Sequence, residues 1–148
     1  MSRAIPVSVA VLLGVGGIGN GLFMLVSPAD WYFAVPGVTT TGPFNQHFVR
    51  DIGLIFLLVA IALLVGVARP ATRVASWMAA ALWLVGHALF HFWEVAAGIC
   101  GTGALVRDFP AVTLPAILAS ALALWAWREA PRAGLRPRSM ERAGAARR

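Results

Sequence analysis

Three ionisable residues are spaced along one side of an apolar segment, in HALFHFWE at positions 87–94. His87, His91 and Glu94 follow one another at intervals of four and three residues, which places them on one face of a helix. Imidazole and carboxylate groups with this spacing could bind a transition metal such as zinc, iron or copper. They could equally act as a general acid and base, so all three are candidate catalytic residues.

A second pair with helical spacing lies earlier in the chain. His47 and Asp51 are four residues apart and share a face, and Arg50 lies between them. Ionisable side chains facing lipid are costly, so we expect this face and the His87 face to turn toward each other. The predicted metal ligands are His47, Asp51, His87, His91 and Glu94. Arg50 is predicted to pair with a carboxylate or a bound ligand.

Two further residues are candidate ligand contacts. Trp83 lies on the same stripe as His87, and Asn20 is the only amide within the first apolar stretch. A structural interpretation competes with the functional one, because buried histidines also bond carboxylates merely to hold helices together, and Trp83 could simply pack the bundle. The sequence leaves open whether the protein is an enzyme.

The surroundings of these residues are those of a membrane protein. Of the 148 residues, 59% are hydrophobic and only 12% are charged, whereas soluble domains carry about a quarter charged residues. Four apolar stretches, about 5–26, 48–68, 74–97 and 109–127, approach the ~20 residues needed to span a bilayer as a helix. The predicted fold is therefore all-α, an integral membrane four-helix bundle. Residues 128–148 form a basic tail whose Arg, Ala, Gly and Pro content predicts disorder.

Arginine placement predicts the orientation. Seven arginines fall at or after the last apolar stretch: Arg128, Arg132, Arg136, Arg138, Arg142, Arg147 and Arg148. Arg3, Arg69 and Arg73 would share the side of this tail, whereas only Arg50 and Arg107 would lie opposite. Both termini are therefore predicted to be cytoplasmic, in the bacterial inner membrane, with the histidines in the outer half of the bundle. The net charge of +6 is assigned to topology and to anionic lipids rather than to nucleic acid.

Local motifs add three expectations. In GVGGIGNG, residues 14–21, Gly14, Gly17 and Gly21 share a face and predict close packing against another helix. A phosphate-binding loop is disfavoured, because the glycines lie mid-span without a preceding strand or a lysine. Asp108, followed by Phe109-Pro110, predicts the N-cap of the fourth helix, and Pro115 predicts a kink.

Two segments resemble a known family. SPADWY at 27–32 closes the first span, and NQHFVRDIG at 45–53 opens the second. In this layout the chain is similar to the DoxX-like group of small bacterial membrane proteins. The resemblance implies a four-helix fold and a redox accessory role beside quinone or thiol partners, but no particular catalytic residue.

The first functional hypothesis is a polar pocket that binds a metal ion or small ligand, with redox or acid/base chemistry. A second is a non-enzymatic accessory subunit that docks a larger membrane protein or forms a homo-oligomer. The third is a small transporter or proton-conducting element, which is disfavoured because the inner half offers no comparable polar residues.

Overall fold

A computed structural model describes residues 3–130, and all regular structure in this range is helical. The helices are α1 (Ala4–Val26), α2 (Pro28–Ala34), α3 (Gln46–Ala68), α4 (Arg73–Ala96), α5 (Gly103–Asp108) and α6 (Leu114–Glu129). Short 3-10 turns occupy Val38–Thr40 and Pro70–Thr72, and a π-helical turn, Phe109–Thr113, joins α5 to α6. The predicted disordered tail, except for its first three residues, lies outside the described residues.

Four helical segments are long and apolar enough to cross a membrane, in agreement with the four predicted spans. They are Ala4–Val26, Gln46–Ala68, Pro70–Ala96 and Gly103–Glu129. The all-helical fold with four helices that could span a membrane is therefore confirmed for the described residues. The first three spans begin and end within two residues of their predicted limits.

The fourth span corrects the prediction for Asp108. Its helix begins at Gly103, and Asp108 makes no N-cap hydrogen bond. A proline inside a helix removes one backbone donor, and Pro110 lies in the π-helical turn, where the Leu114 N–H instead reaches the Phe109 carbonyl. The wider turn precedes Pro115, where a kink was predicted, and Pro115 is the second residue of α6. Asp108 is therefore free to use its carboxylate elsewhere.

The four spans alternate in direction, so the bundle has two distinct ends. The terminal end contains the start of α1, the turn Pro70–Thr72 and the end of α6. The loop end contains α2, α5 and the segment 35–45 that connects α2 to α3.

The predicted glycine face of α1 is confirmed as its contact with α3. A Cβ on Gly14 would lie 2.8 Å from the Leu64 side chain, and one on Gly21 would lie 2.8 Å from the Gly53 carbonyl oxygen. By contrast, Gly16 and Gly19 have open space at the same position. Only the glycines on the predicted face are needed for the close approach of the two backbones.

The remaining spans pack through a core that is dense at the terminal end. Trp77 of α4 is fully buried, and its Nε1 donates to the Leu63 carbonyl of α3 at 3.0 Å. Alanines dominate the α4–α6 contact, with Ala80 and Ala119 almost completely buried. This packing fixes the rotation of α4, and therefore the direction in which its polar stripe faces.

Candidate functional site

The main polar cluster lies at the loop end, where α4 meets the start of the fourth span. His91 Nδ1 lies 3.2 Å from Asp108 Oδ2, and these side chains are 25% and 15% exposed. Arg107 donates from Nε to Asp108 Oδ1 at 2.7 Å and from Nη2 to Asp108 Oδ2 at 3.1 Å. Such charge-assisted donors stabilise the ionised carboxylate. The cluster is thus an arginine–carboxylate–imidazole chain.

Arg107 is held in place by a glycine of the 35–45 segment. The Arg107 guanidinium lies directly over Gly37, so close that a side chain at residue 37 would overlap it. Gly37 also has a φ of 86°, in the left-handed region that favours glycine. Tyr32 donates its hydroxyl proton to the Gly42 carbonyl at 2.6 Å and so ties the same segment to α2. The loop therefore contributes to the position of Arg107.

His87 extends the chain deeper into the bundle. Its ring centroid lies 4.8 Å from that of His91 in an edge-to-face arrangement. The Trp83 ring is parallel to His87, with centroids 6.2 Å apart, and Phe56 of α3 approaches its edge at 6.1 Å. His87 therefore has an imidazole on its outward side and two aromatic rings, Trp83 and Phe56, beside it.

One buried polar atom on the same helix lacks a hydrogen-bond partner among residues 3–130. The Trp83 Nε1 atom is shielded from solvent and has no acceptor within that range. Glu94 is only 8% exposed as a residue, but neither of its carboxylate oxygens is buried without a partner. Buried polar groups are normally paired, because an unpaired one costs roughly 1–3 kcal/mol. The unpaired N–H of Trp83, beside His87, is therefore where a ligand could supply the missing partner.

His47 and Asp51 do not join this cluster, which corrects the predicted arrangement. His47 Nε2 lies 3.2 Å from Asp51 Oδ2 on the same helix, with side chains that are 88% and 54% exposed. Both belong to the first turns of α3, where the neighbouring elements leave that face uncovered. Asp108, rather than Asp51, is the carboxylate beside His91.

The five predicted metal ligands therefore do not surround a common point. Within the described part of the chain, no group of three or more His, Cys, Asp or Glu side chains has a metal-binding arrangement. His87, His91 and Glu94 remain on one stripe of α4, as predicted. Metal binding by this stripe stays a prediction.

The predicted ligand contacts Arg50 and Asn20 have partners within the protein. Arg50 Nε donates to the Leu25 carbonyl at 3.1 Å, near the end of α1, instead of pairing with a carboxylate. Carbonyls in the last turn of a helix lack intrahelical donors, so an arginine there is stabilising. Asn20 Oδ1 accepts a hydrogen bond from Trp31 Nε1 at 2.9 Å, which fastens α2 to α1.

Arg107 and Asp108 were not predicted from the sequence as site residues. The signal was present, because antiparallel spans put the start of the fourth span at the depth where α4 ends. Asp108 was assigned to helix capping because Phe109-Pro110 follows it, and that local interpretation concealed the distant partner. Matching the residues of antiparallel spans by their depth in the membrane would have paired Asp108 with His91.

No family model, curated protein or solved structure matches the chain. The DoxX-like resemblance accordingly stays a prediction.

Proposed function

We propose that the protein binds a small ligand at the loop end of the bundle and exchanges a proton with it through His87, His91 and Asp108. The single observation that carries this proposal is the 3.2 Å contact between His91 Nδ1 and Asp108 Oδ2. A carboxylate in this position orients an imidazole and selects its tautomer. The other ring nitrogen, Nε2, is then left to accept a proton.

The two imidazoles support a short proton path. With a proton on Nδ1, His91 donates to Asp108, and its remaining nitrogen is available to a neighbour. His87 is that neighbour at a ring separation of 4.8 Å, a spacing that a rotation of either ring or one water molecule could bridge. After His87 protonated a ligand, it would take a replacement proton from His91. Asp108 and Arg107 would stabilise the charge that develops.

The location of the site supports a ligand that reaches it from the outer side. The arginine bias between the two ends favours cytoplasmic termini and a loop end that faces outward. On this basis we place the protein in the bacterial inner membrane, with the Arg107/Asp108 pair near the outer surface and His87 closer to the midplane.

Metal binding is a second candidate, and the Asp108 contact favours it independently. Histidines that bind a metal commonly donate their other ring nitrogen to a carboxylate. His87 and His91, one turn apart, would provide the nitrogen ligands, and Glu94 on the next turn would provide oxygen. Zinc, iron or copper would suit this set, and the bound ion would supply Lewis acidity or redox chemistry.

The three histidines of the chain allow a direct test of the proton path by NMR. In ¹⁵N-histidine-labelled full-length protein, we expect His91 to hold its proton on Nδ1. Asp108→Asn should shift the His91 tautomer and move the ring signals of both His91 and His87, because the orienting carboxylate is lost. His47→Gln is the matched control and should leave both signals in place. Unchanged His87 and His91 signals in Asp108→Asn would contradict the proposal.

A titration with Co²⁺ separates the metal candidate from the proton path. A visible absorption band that His91→Ala removes and His47→Ala retains would support a metal on α4. A band that depends on His47 would locate the metal at the exposed pair instead, and no band in the wild-type protein would leave the proton path as the remaining candidate.

A further inference from the structure

A groove runs between α4 and α6 on the surface of the bundle, away from the histidine site. Its volume is about 420 Å³. At the middle of the bundle it is bounded by Val85 and Ser120, and toward the terminal end by Met78 and Trp127. From Val85 to Met78 the groove follows α4 for about 10 Å, at a helical rise of 1.5 Å per residue.

The lining of this groove suits hydrocarbon. Its floor is formed by Ala81 and Ala123, which are only 7% and 3% exposed, and their small side chains create the depression. Ser120 is the only lining side chain with a hydroxyl, and its Oγ donates to the Ala116 carbonyl at 2.7 Å. Apart from the indole N–H of Trp127 at its terminal end, the lining is therefore apolar or internally bonded, and a flexible apolar chain is the occupant that suits it.

The charge beside the groove indicates what kind of headgroup that occupant carries. At the terminal end, Trp127 is 59% exposed, as expected for an aromatic side chain at headgroup level. Arg128 follows it in the last turn of α6, next to Glu129, which is the one acidic residue of that helix. Beyond Ala130 the sequence has one acidic residue, Glu141, and six further arginines: Arg132, Arg136, Arg138, Arg142, Arg147 and Arg148. This excess of positive charge is complementary to an anionic phosphate.

We propose that the α4–α6 groove is a binding site for one acyl chain of an anionic phospholipid, with its headgroup at Arg128. The site is independent of the histidine chemistry, since none of the residues of the Arg107–His87 chain lines it. Its function is to fix α4 and α6 against each other from the lipid side, near the terminal end, where the Arg73 guanidinium lies over the Trp77 ring.

Native mass spectrometry of the full chain in detergent tests this site. The probes are phosphatidylglycerol and phosphatidylcholine with identical acyl chains, each added alone. We expect one phosphatidylglycerol molecule to be retained in preference to phosphatidylcholine. Arg128→Gln should lower phosphatidylglycerol retention about fivefold, the contribution of one arginine at an anionic surface, and leave phosphatidylcholine unchanged. Equal retention of both lipids by the wild-type protein would overturn the proposal.

Filling the groove separates a defined site from loose electrostatic attraction. Ser120→Leu should reduce phosphatidylglycerol retention about tenfold, as expected if about two methylenes lose their contact, whereas Ser120→Ala should retain the lipid. Leu124→Trp, at a partly exposed position of the lining, provides a second filling variant should Ser120→Leu fail to fold. Undiminished retention in a folded filling variant would overturn the proposal. So would a wild-type dimer that the filling variants abolish, because the occupant would then be a second copy.

Discussion

The two ends of the bundle treat their polar groups in opposite ways. At the terminal end, Arg73 donates from Nε to the Gly66 carbonyl at 2.7 Å and from Nη2 to the Val67 carbonyl at 3.3 Å. Its guanidinium also lies 5.3 Å from the ring centroid of Trp77 and 5.8 Å from that of Trp125. Carbonyls at a helix end that would otherwise lack donors are thereby satisfied.

At the loop end, a buried polar atom on α4 is left unpaired. Trp83 Nε1 has no acceptor among residues 3–130, and the neighbouring His87 lies among the rings of Phe56, Trp83 and His91. Buried polar groups without partners cost stability, and proteins retain them mainly where function requires them. The comparison indicates that the terminal end stabilises the fold, whereas the loop end is where the proposed chemistry would take place.

The largest expected effect is the loss of Trp77. Trp77→Ala should lower the free energy of unfolding by roughly 3–5 kcal/mol, because it opens a cavity in the best-packed region and removes the hydrogen bond to Leu63. Denaturation in mixed SDS and mild detergent, followed by circular dichroism, measures the change. Trp127→Ala, at an exposed position, is the control. Equal losses of stability in the two variants would contradict the conclusion that the buried Trp77 stabilises the terminal end.

A smaller loss is expected when a methyl group is added under the same indole. A Cβ at Gly66 would overlap the Trp77 ring, whereas Gly86 on α4 has open space around it. Gly66→Ala should destabilise the protein by roughly 1–3 kcal/mol, a typical cost of overpacking. Gly86→Ala should be neutral or slightly stabilising, since alanine favours a helix over glycine. The same denaturation experiment compares them, and a Gly66→Ala protein as stable as Gly86→Ala would refute the close contact.

Removing an indole N–H should have opposite consequences at the two ends. Trp77→Phe loses a hydrogen bond to Leu63 and should cost about 1 kcal/mol. Trp83→Phe removes a buried donor that has no partner within residues 3–130, so stability should be unchanged or rise by up to about 1 kcal/mol. The difference in sign is the decisive observation. Clear destabilisation by Trp83→Phe would mean that the N–H already has an acceptor.

The smallest effect is expected at the exposed pair on α3. His47→Gln should change stability by less than about 0.5 kcal/mol at any pH between 5 and 8, because exposed ion pairs contribute little. A melting temperature that follows that of the wild-type protein across this range would agree with a separate, solvent-facing pair. A pH-dependent difference between the two melting temperatures would indicate that His47 interacts with the buried cluster instead.

How well individual residues were predicted depended on how far apart the interacting groups are in the chain. The spans, the glycine face of α1 and the stripe of His87, His91 and Glu94 depend on local composition and on the helical period, so counting residues was sufficient. The partner of His91 is separated from it by 17 residues, and two carboxylates, Asp51 and Asp108, were available. Helical spacing alone cannot choose between them.

By itself the sequence determined that four apolar stretches become helices, because bilayer hydrocarbon offers no other donors and acceptors to the backbone. It also determined which side chains share a helical face. Tertiary structure alone decided which faces meet: the packing of Trp77 and the small alanines sets the rotation of α4, and an early start to the fourth span brings Asp108 to His91. The physical reason is that helix formation is local, whereas the rotation of one helix against another depends on side chains from several spans at once.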